Sequence, residues 1–354
     1  MPSKASLRTL LIGLLISAAC IAIVLRNVEL GESWAALRQI RLALLPLPLL
    51  ILAINLPLRA WRWQQIFPPA ARPSLWNSLA VLAVGNMGNN LFPGRVGDLS
   101  RCVLIGRKSS LSQSTLALAT LVVEKILDGL ALLAVVLFSL WVLSPPHWVW
   151  RLGGISALIF GGALAVLVLL RFRAEWFLSV VRRCFQAIHL AHLGEKLAAL
   201  LAAFAEGLHA IGSAGQMARL LAATAAIWFT EAALIWAFAR AFHAPLGLQS
   251  SFVVAAVIGL GFMIPAAPAG LGTYELFGVA AFQLVGVAAA GALAITLAIH
   301  AWVFVSNNGV GLLCLALLGV RFSQLRNAGA MASGAQTGAS ARDATISTLP
   351  PTAP

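Results

Sequence analysis

Leu152–Leu170, which reads LGGISALIFGGALAVLVLL, holds no charge between Arg151 and Arg171. A helix rises about 1.5 Å per residue, so this run reaches roughly 28 Å, close to the thickness of a bilayer's hydrocarbon core. Leu42–Leu58 repeats the pattern between Arg41 and Arg59, and Leu276–Val320 carries no charge apart from whatever His300 holds. Over 354 residues, 60% are hydrophobic and 10% charged, with a mean hydropathy of +0.93. A soluble domain carries about 25% charged residues, so this chain lacks the material for a water-facing surface. The fold class is therefore all-α, a polytopic transmembrane helical bundle.

Spans are expected over Leu7–Leu25, Leu42–Leu58, Gln113–Leu143, Leu152–Leu170, Leu220–Ala239, Leu248–Ile264 and Ala292–Val320. The first is longer than the apolar part of a signal peptide and no A-x-A site follows it, so it reads as a retained span. Two segments fit less simply. Ser74–Phe92 carries Asn77, Asn86, Asn89 and Asn90 with Gly85 and Gly88, and Tyr274–Val287 is short. Such segments persist at membrane depth only where protein or a watery cavity surrounds them. About seven to nine membrane elements follow, some of them broken or re-entrant.

Residues 1–322 form the transmembrane domain in this reading. Within it, Arg171–Gln216 interleaves bases with Trp176, Phe177 and Phe185, which suits amphipathic helices lying on the cytoplasmic face. Residues 323–354, rich in Ala, Ser, Thr, Gly and Pro, read as a disordered tail.

The net charge of +13 sits beside spans, where the positive-inside rule explains it better than a nucleic-acid groove does. Seven bases between Arg59 and Lys108, with Lys4 and Arg8 before the first span, place both termini on the cytoplasmic side of an inner membrane. Trp61, Trp63, Trp148 and Trp150 read as interfacial anchors. The four cysteines are scattered, and His189 and His192 lack a third ligand, so neither a metal site nor a cofactor is expected.

Of eleven acidic residues, Asp98, Glu124, Asp128, Glu231 and Glu275 fall in or beside apolar segments. An ionisable group at that depth is costly and faces a bundle interior or a polar cavity. Two motifs surround them. In Asn89–Arg101 the helix breakers Pro93, Gly94 and Gly97 free backbone groups that, with Arg95 and Arg101, suit a phosphate. In Ile264–Glu275, Pro268, Gly270 and Gly272 precede the second carboxylate, beside the only tyrosine, Tyr274. Glu124 follows Asp98 by 26 positions and His300 follows Glu275 by 25, which reads as an internal repeat of the kind transporter folds carry. Glu124 and Asp128, four apart, share a helix face. That face is either a carboxylate strip lining a polar cavity or a structural network neutralised by Lys125, Arg95 or Arg101. Glu231 and His300 are either coupling groups or packed polar residues.

Asn-x-Phe-Pro-Gly-Arg-x-Gly-Asp-x-x-Arg, Val-Glu-Lys-Ile-Leu-Asp and Pro-x-Gly-x-Gly-x-x-Glu, in this order, resemble the transmembrane domain of lysylphosphatidylglycerol synthase and its stand-alone, flippase-like relatives. The resemblance runs from about Leu7 to Val320. It implies a helical domain that moves an amphipathic lipid between leaflets, with Arg95, Asp98, Arg101, Glu124, Asp128 and Glu275 lining its cavity. Asp98 stands where that family usually has Glu, Lys125 where it has Arg, and His300 near a frequent Arg. No counterpart of the synthase's soluble aminoacyl-transferring domain is present in this sequence, so synthase activity is not expected.

The leading expectation is lipid translocation without catalysis, and no residue is assigned a catalytic role. The cargo is a membrane lipid: an anionic or aminoacylated phospholipid, a polyprenyl-phosphate glycan or a hopanoid-type lipid. The alternatives are a membrane-embedded transferase using Asp98 or Glu124, and a non-transporting partner of a lipid-modifying enzyme.

Overall fold

The computed structural model describes residues 4–92, 96–106, 111–142, 147–209, 213–262, 264 and 267–318, so the tail expected at 323–354 lies outside the described residues. Every regular element among them is helical. In chain order these are α1 (Lys4–Asn27), α2 (Leu30–Arg38), α3 (Pro46–Ile66), α4 (Leu75–Leu91), α5 (Val96–Gly106), α6 (Leu111–Val142) and α7 (His147–Phe172). They continue with α8 (Ala174–Ala187), α9 (Ala191–His209), α10 (Ala214–Ala241), α11 (Leu248–Gly261), α12 (Thr273–Leu284) and α13 (Ala289–Leu317). Among the described residues, the α3, α10 and α13 segments are each long and apolar enough to cross a bilayer alone. The chain is a multi-pass helical membrane protein.

Local chemistry sets the helix starts. Pro46 opens α3, where its fixed φ and missing N–H cost nothing. Ser74 caps α4 by accepting from the Asn77 N–H at 3.2 Å. Ser213 caps α10 in the same way, accepting from the Gln216 N–H at 3.1 Å.

Two series of helices echo each other. The helices α4, α5 and α6 hold 17, 11 and 32 residues, and α11, α12 and α13 hold 14, 12 and 29. At about 1.5 Å per residue, the short members fall below the roughly 30 Å needed to span. Each series is thus two short helices and a long one. Ser74–Phe92 and Tyr274–Val287, the segments that resisted assignment, are short members of the two series. The first motif opens α5 and the second opens α12, with Asp98 and Glu275 each in a first helical turn.

The outer surface is apolar, as a lipid-facing surface requires, while a few ionic residues are buried within an apolar interior. Leu15, Leu158, Phe172 and Val305 point outward and are exposed, whereas Arg62, Arg101, Asp98 and Glu124 are buried. One core gathers around Trp63, Phe67, Val84 and Met87, and another around Phe238, Val254, Phe282 and Ile295. The two meet where α4 packs on α13.

Three sequence readings change. The span expected to stop at Leu58 continues to Ile66, so Arg59 and Arg62 are helix-interior residues rather than flanking loop bases. With Arg101, also buried, they drop out of the positive-inside count. Trp63 is fully buried and is no interfacial anchor. Leu248–Ile264 contains a helix that ends at Gly261. Within 171–216 the described residues form the paired helices α8 and α9, tied by Arg182 Nε and Glu195 Oε2 at 3.3 Å, between the ends of α7 and α10.

Candidate functional site

Asn55, Arg59 and Arg62 sit four and three residues apart on α3 and therefore share one face. Thr120, Glu124 and Asp128 do the same on α6. These faces meet. Arg62 donates from Nη1 to Asp128 Oδ1 at 2.5 Å and from Nη2 to Oδ2 at 3.2 Å. Its Nη1 also donates to Thr224 Oγ1 on α10 at 3.1 Å, and its Nη2 lies 3.8 Å from Glu124 Oε1.

Glu124 also accepts from Arg101 Nη2 at 2.8 Å, and Arg101 Nη1 lies 3.8 Å from Asp98 Oδ1. Lys125 Nζ stands 3.4 Å from Asp98 Oδ2. The order Asp98, Arg101, Glu124, Arg62, Asp128 alternates in sign across α5, α6 and α3. Alternation is what dehydrated charges demand, since an unpaired one in a low-dielectric interior is strongly unfavourable.

Arg101 is held from two more sides. Its guanidinium lies 4.3 Å over the Trp63 ring, and Trp63 Nε1 donates to Thr120 Oγ1 at 3.1 Å. Gly85 and Gly88 on α4 and Gly97 on α5 let the two backbones touch. A Cβ on Gly97 would strike the Gly85 carbonyl oxygen and the Asn89 nitrogen, and one on Gly85 would strike the Arg101 side chain. Asn89 fastens the junction: its Nδ2 donates to Asp98 Oδ1 at 3.0 Å and its Oδ1 accepts from the Asp98 N–H at 3.1 Å. Gly97 thus serves close helix approach.

Glu231 lies midway along α10. Its Oε1 accepts from Arg59 Nη2 at 2.7 Å and from Asn55 Nδ2 at 3.1 Å, while Arg59 Nε donates to Asn55 Oδ1 at 3.0 Å. Unlike the Arg62 pair, this one is open, with side chains 27% and 35% exposed. The exposure arises because Arg59 and Glu231 stand on the walls of two adjoining chambers.

The first chamber, about 260 Å³, gathers polar groups on one wall, Asn86, Asn89, Asn90, Ser306 and Asn307 with Arg101 and Glu124, against Leu52, Leu56 and Leu82 on another. The second, about 440 Å³, is mainly apolar, walled by Leu132, Phe160, Trp228, Ile258 and Ile299, with Asp128 and Tyr274 on its edge. Arg59, Lys125 and Glu231 border both. A groove of about 520 Å³ between α6 and α11, lined by residues such as Val135, Phe138 and Phe252, lies apart from these charges.

The second motif builds a separate knot. Glu275 Oε2 accepts from the Gly272 N–H at 2.6 Å and caps its own helix. Its Oε1 lies 2.5 Å from His300 Nδ1, and His300 Nε2 donates to the Ala269 carbonyl at 3.2 Å. A carbonyl only accepts, so Nε2 carries a proton. The Glu275–His300 contact therefore holds one further proton, and the pair is neutral overall whichever partner keeps it. Tyr274 stacks on the imidazole at 4.3 Å between ring centres. Gly270 and Gly272 have φ of 75° and 86°, in the region that glycine enters without steric cost. At Gly272 a Cβ would also strike the Ser17 backbone of α1, whose Oγ accepts from the Ala267 N–H at 2.9 Å.

The sequence-expected residues therefore fall into separate groups. Asp98, Arg101, Glu124 and Asp128 come together. Glu231 reaches the same chambers through Arg59, a partner not anticipated. Glu275 and His300 pair with each other and are not among the residues lining either chamber, and Pro268 begins the turn beneath them. Pro93, Gly94 and Arg95 lie outside the described residues. Sequence reasoning missed Asn55, Arg59, Arg62 and Trp63; the signal was the shared helix face of the first three. Among the described residues, no group of three His, Cys, Asp or Glu side chains is placed to hold a metal ion.

A family model described as lysylphosphatidylglycerol synthase TM region matches residues 10–326. No curated protein matches the chain.

Proposed function

Because the chain belongs to the lysylphosphatidylglycerol synthase TM region family, we propose that it moves an amphipathic lipid between the leaflets of the cytoplasmic membrane. The observation that carries this reading is the pair of adjoining chambers, one with a polar wall and one mainly apolar, bordered in common by Arg59, Lys125 and Glu231. A lipid has the same division. Its headgroup costs several kcal/mol or more to drag through hydrocarbon unaided, whereas its acyl chains belong there.

In this scheme the headgroup occupies the polar chamber while an acyl chain lies along the apolar one. The buried series from Asp98 to Asp128 keeps the wall rigid, because its charges already satisfy one another. The part-exposed Arg59–Glu231 pair is the movable part: either member can exchange its partner for a polar group of the passing headgroup at little cost, as exposed ion pairs contribute only about 0–1 kcal/mol. Its location and partners distinguish it from the Arg62 fork.

The test uses the full chain in vesicles of defined phospholipid containing a trace of tail-labelled lipid, with inner-leaflet label protected from an impermeant quencher. The protein is expected to accelerate loss of that protection, and Arg59→Ala to slow it about tenfold or more. Acceleration no greater than that of protein-free vesicles, across anionic, zwitterionic and glycosylated lipids, would remove the proposal.

A further inference from the structure

We infer that the polar chamber selects a hydroxyl-bearing headgroup, a glycosyl or polyol unit, through the carboxamides of Asn86, Asn90 and Asn307. This rests on the translocation reading only in taking the chamber as a headgroup site. The charged side chains described around the chamber already engage one another: Arg59 with Glu231, Arg101 with Glu124, and Lys125 with Asp98. Asn55 and Asn89 are also engaged, each through its Nδ2 and its Oδ1. Asn86, Asn90 and Asn307 line the chamber, and the structure gives none of the three a side-chain hydrogen bond. Asn90 Nδ2 is buried without a partner, as is Arg101 Nε on the same wall, so the unmet buried groups there are N–H donors that a hydroxyl oxygen can accept from.

Asn86 and Asn90 are one turn apart on α4, and Asn307 lies on α13, which packs against α4. Three carboxamides thus face one space with their hydrogen-bonding capacity unspent. Each offers two N–H donors and a carbonyl acceptor. A phosphate, alone or beside an ammonium, brings full charge to a wall whose described charges are already paired, and an ammonium alone would strand the buried Asn90 Nδ2. A stranded buried polar group costs about 1–3 kcal/mol. A hydroxyl both donates and accepts, so neighbouring hydroxyls on a sugar or polyol match the array without adding charge.

The test is retention rather than movement. Purified full-length protein in mild detergent is titrated with three lipids of identical acyl chains: monoglucosyl-diacylglycerol, phosphatidic acid and phosphatidylethanolamine. Bound lipid is counted by native mass spectrometry. The glucosyl lipid is expected to bind about tenfold more tightly than either phospholipid, and Asn90→Ala and Asn307→Ala each to weaken it about fivefold to tenfold. Asn308→Ala, the neighbour outside the lining, is expected to leave retention unchanged and so controls for folding.

Equal or tighter retention of phosphatidic acid overturns the assignment, as does a loss of all three lipids alike in the Asn90 and Asn307 variants. The outcomes separate from those of the vesicle experiment. A glucosyl preference without transport leaves the chamber chemistry standing and removes translocation. Transport without headgroup preference does the reverse.

Discussion

Arg62 and Asp128, 66 positions apart in the chain, meet as a two-point fork with N–O distances of 2.5 and 3.2 Å. The arginine end is fully buried and the carboxylate end is 23% exposed. Arg62→Ala leaves Asp128 without its partner and Glu124 with one cation fewer. It is expected to lower unfolding stability in mild detergent by about 3–5 kcal/mol. Arg62→Met combined with Asp128→Leu removes both charges and is expected to recover much of that loss. A double variant no more stable than the single one would show that the fork is not what holds α3 to α6.

The glycine seam predicts a contrast between two Gly→Ala changes. At Gly97 the added methyl meets the α4 backbone, so α5 must shift and Arg101 with it. A loss of about 1–3 kcal/mol is expected, together with reduced transport. Gly162, in α7, has open space around its would-be Cβ, and alanine there is expected to be neutral or to add up to about 1 kcal/mol through helix propensity. Parallel thermal unfolding of the two variants checks the difference.

Arg59→Ala and Glu231→Gln should separate function from folding. Their pair is partly solvated, so the stability change is expected to stay below about 1 kcal/mol. Translocation is expected to fall by tenfold or more, because both residues border both chambers. Unfolding midpoints and the vesicle assay, measured on the same preparations, decide it; a large stability loss would make the pair structural.

Much of this was legible from hydropathy and from acids in the wrong place. Asp98, Glu124 and Asp128 stood out because a lone carboxylate in an apolar run demands a partner. Arg59 and Arg62 did not, because a base just after an uncharged run looks like an ordinary cytoplasmic flank. Only the helix continuing to Ile66 turns them inward. Trp63 was misread for the same reason. The likeness between the two helix series was foreshadowed by a spacing of 26 against 25, although spacing alone could not show that the charge order reverses. In the first half the base is on the short helix and the acid on the long one, as Arg101 and Glu124; in the second it is Glu275 and His300.

At the second motif the expected outcome depends on which atoms survive. Glu275→Gln keeps a carbonyl to accept from Gly272 and an amide to donate to Nδ1 of the neutral imidazole whose Nε2–H meets Ala269. It is expected to cost no more than about 1 kcal/mol, whereas Glu275→Ala, which loses the cap and the His300 contact, is expected to cost about 2–3 kcal/mol. Nitrogen chemical shifts of the His300 ring should then report one protonated nitrogen in the glutamine variant. If Glu275→Gln folds normally but stops transport, the shared proton, rather than the cap, is what the motif supplies.

Cys184 offers a topological handle, since it is exposed on α8 while Cys20, Cys102 and Cys314 are buried. A water-soluble maleimide is expected to label it from the cytoplasmic side alone. Labelling in right-side-out vesicles would reverse the orientation read from the flanking bases.

The separation of ion-pair partners along the chain also bears on how the protein is made. Arg59 and Arg62 leave the ribosome before Asp128 and Glu231 exist, by 66 residues in one case (128 − 62) and 172 in the other (231 − 59). At roughly 5–20 residues per second, the wait is roughly 3–13 s for the first partner and 9–34 s for the second. Until Asp128 emerges α3 carries two unneutralised cations, and until Glu231 emerges it still carries one, which is costly to hold at membrane depth. The α3 helix is therefore expected to hold its cations near water or headgroups until α6 and then α10 emerge. The order of synthesis, as well as the finished contacts, sets when the bundle can close.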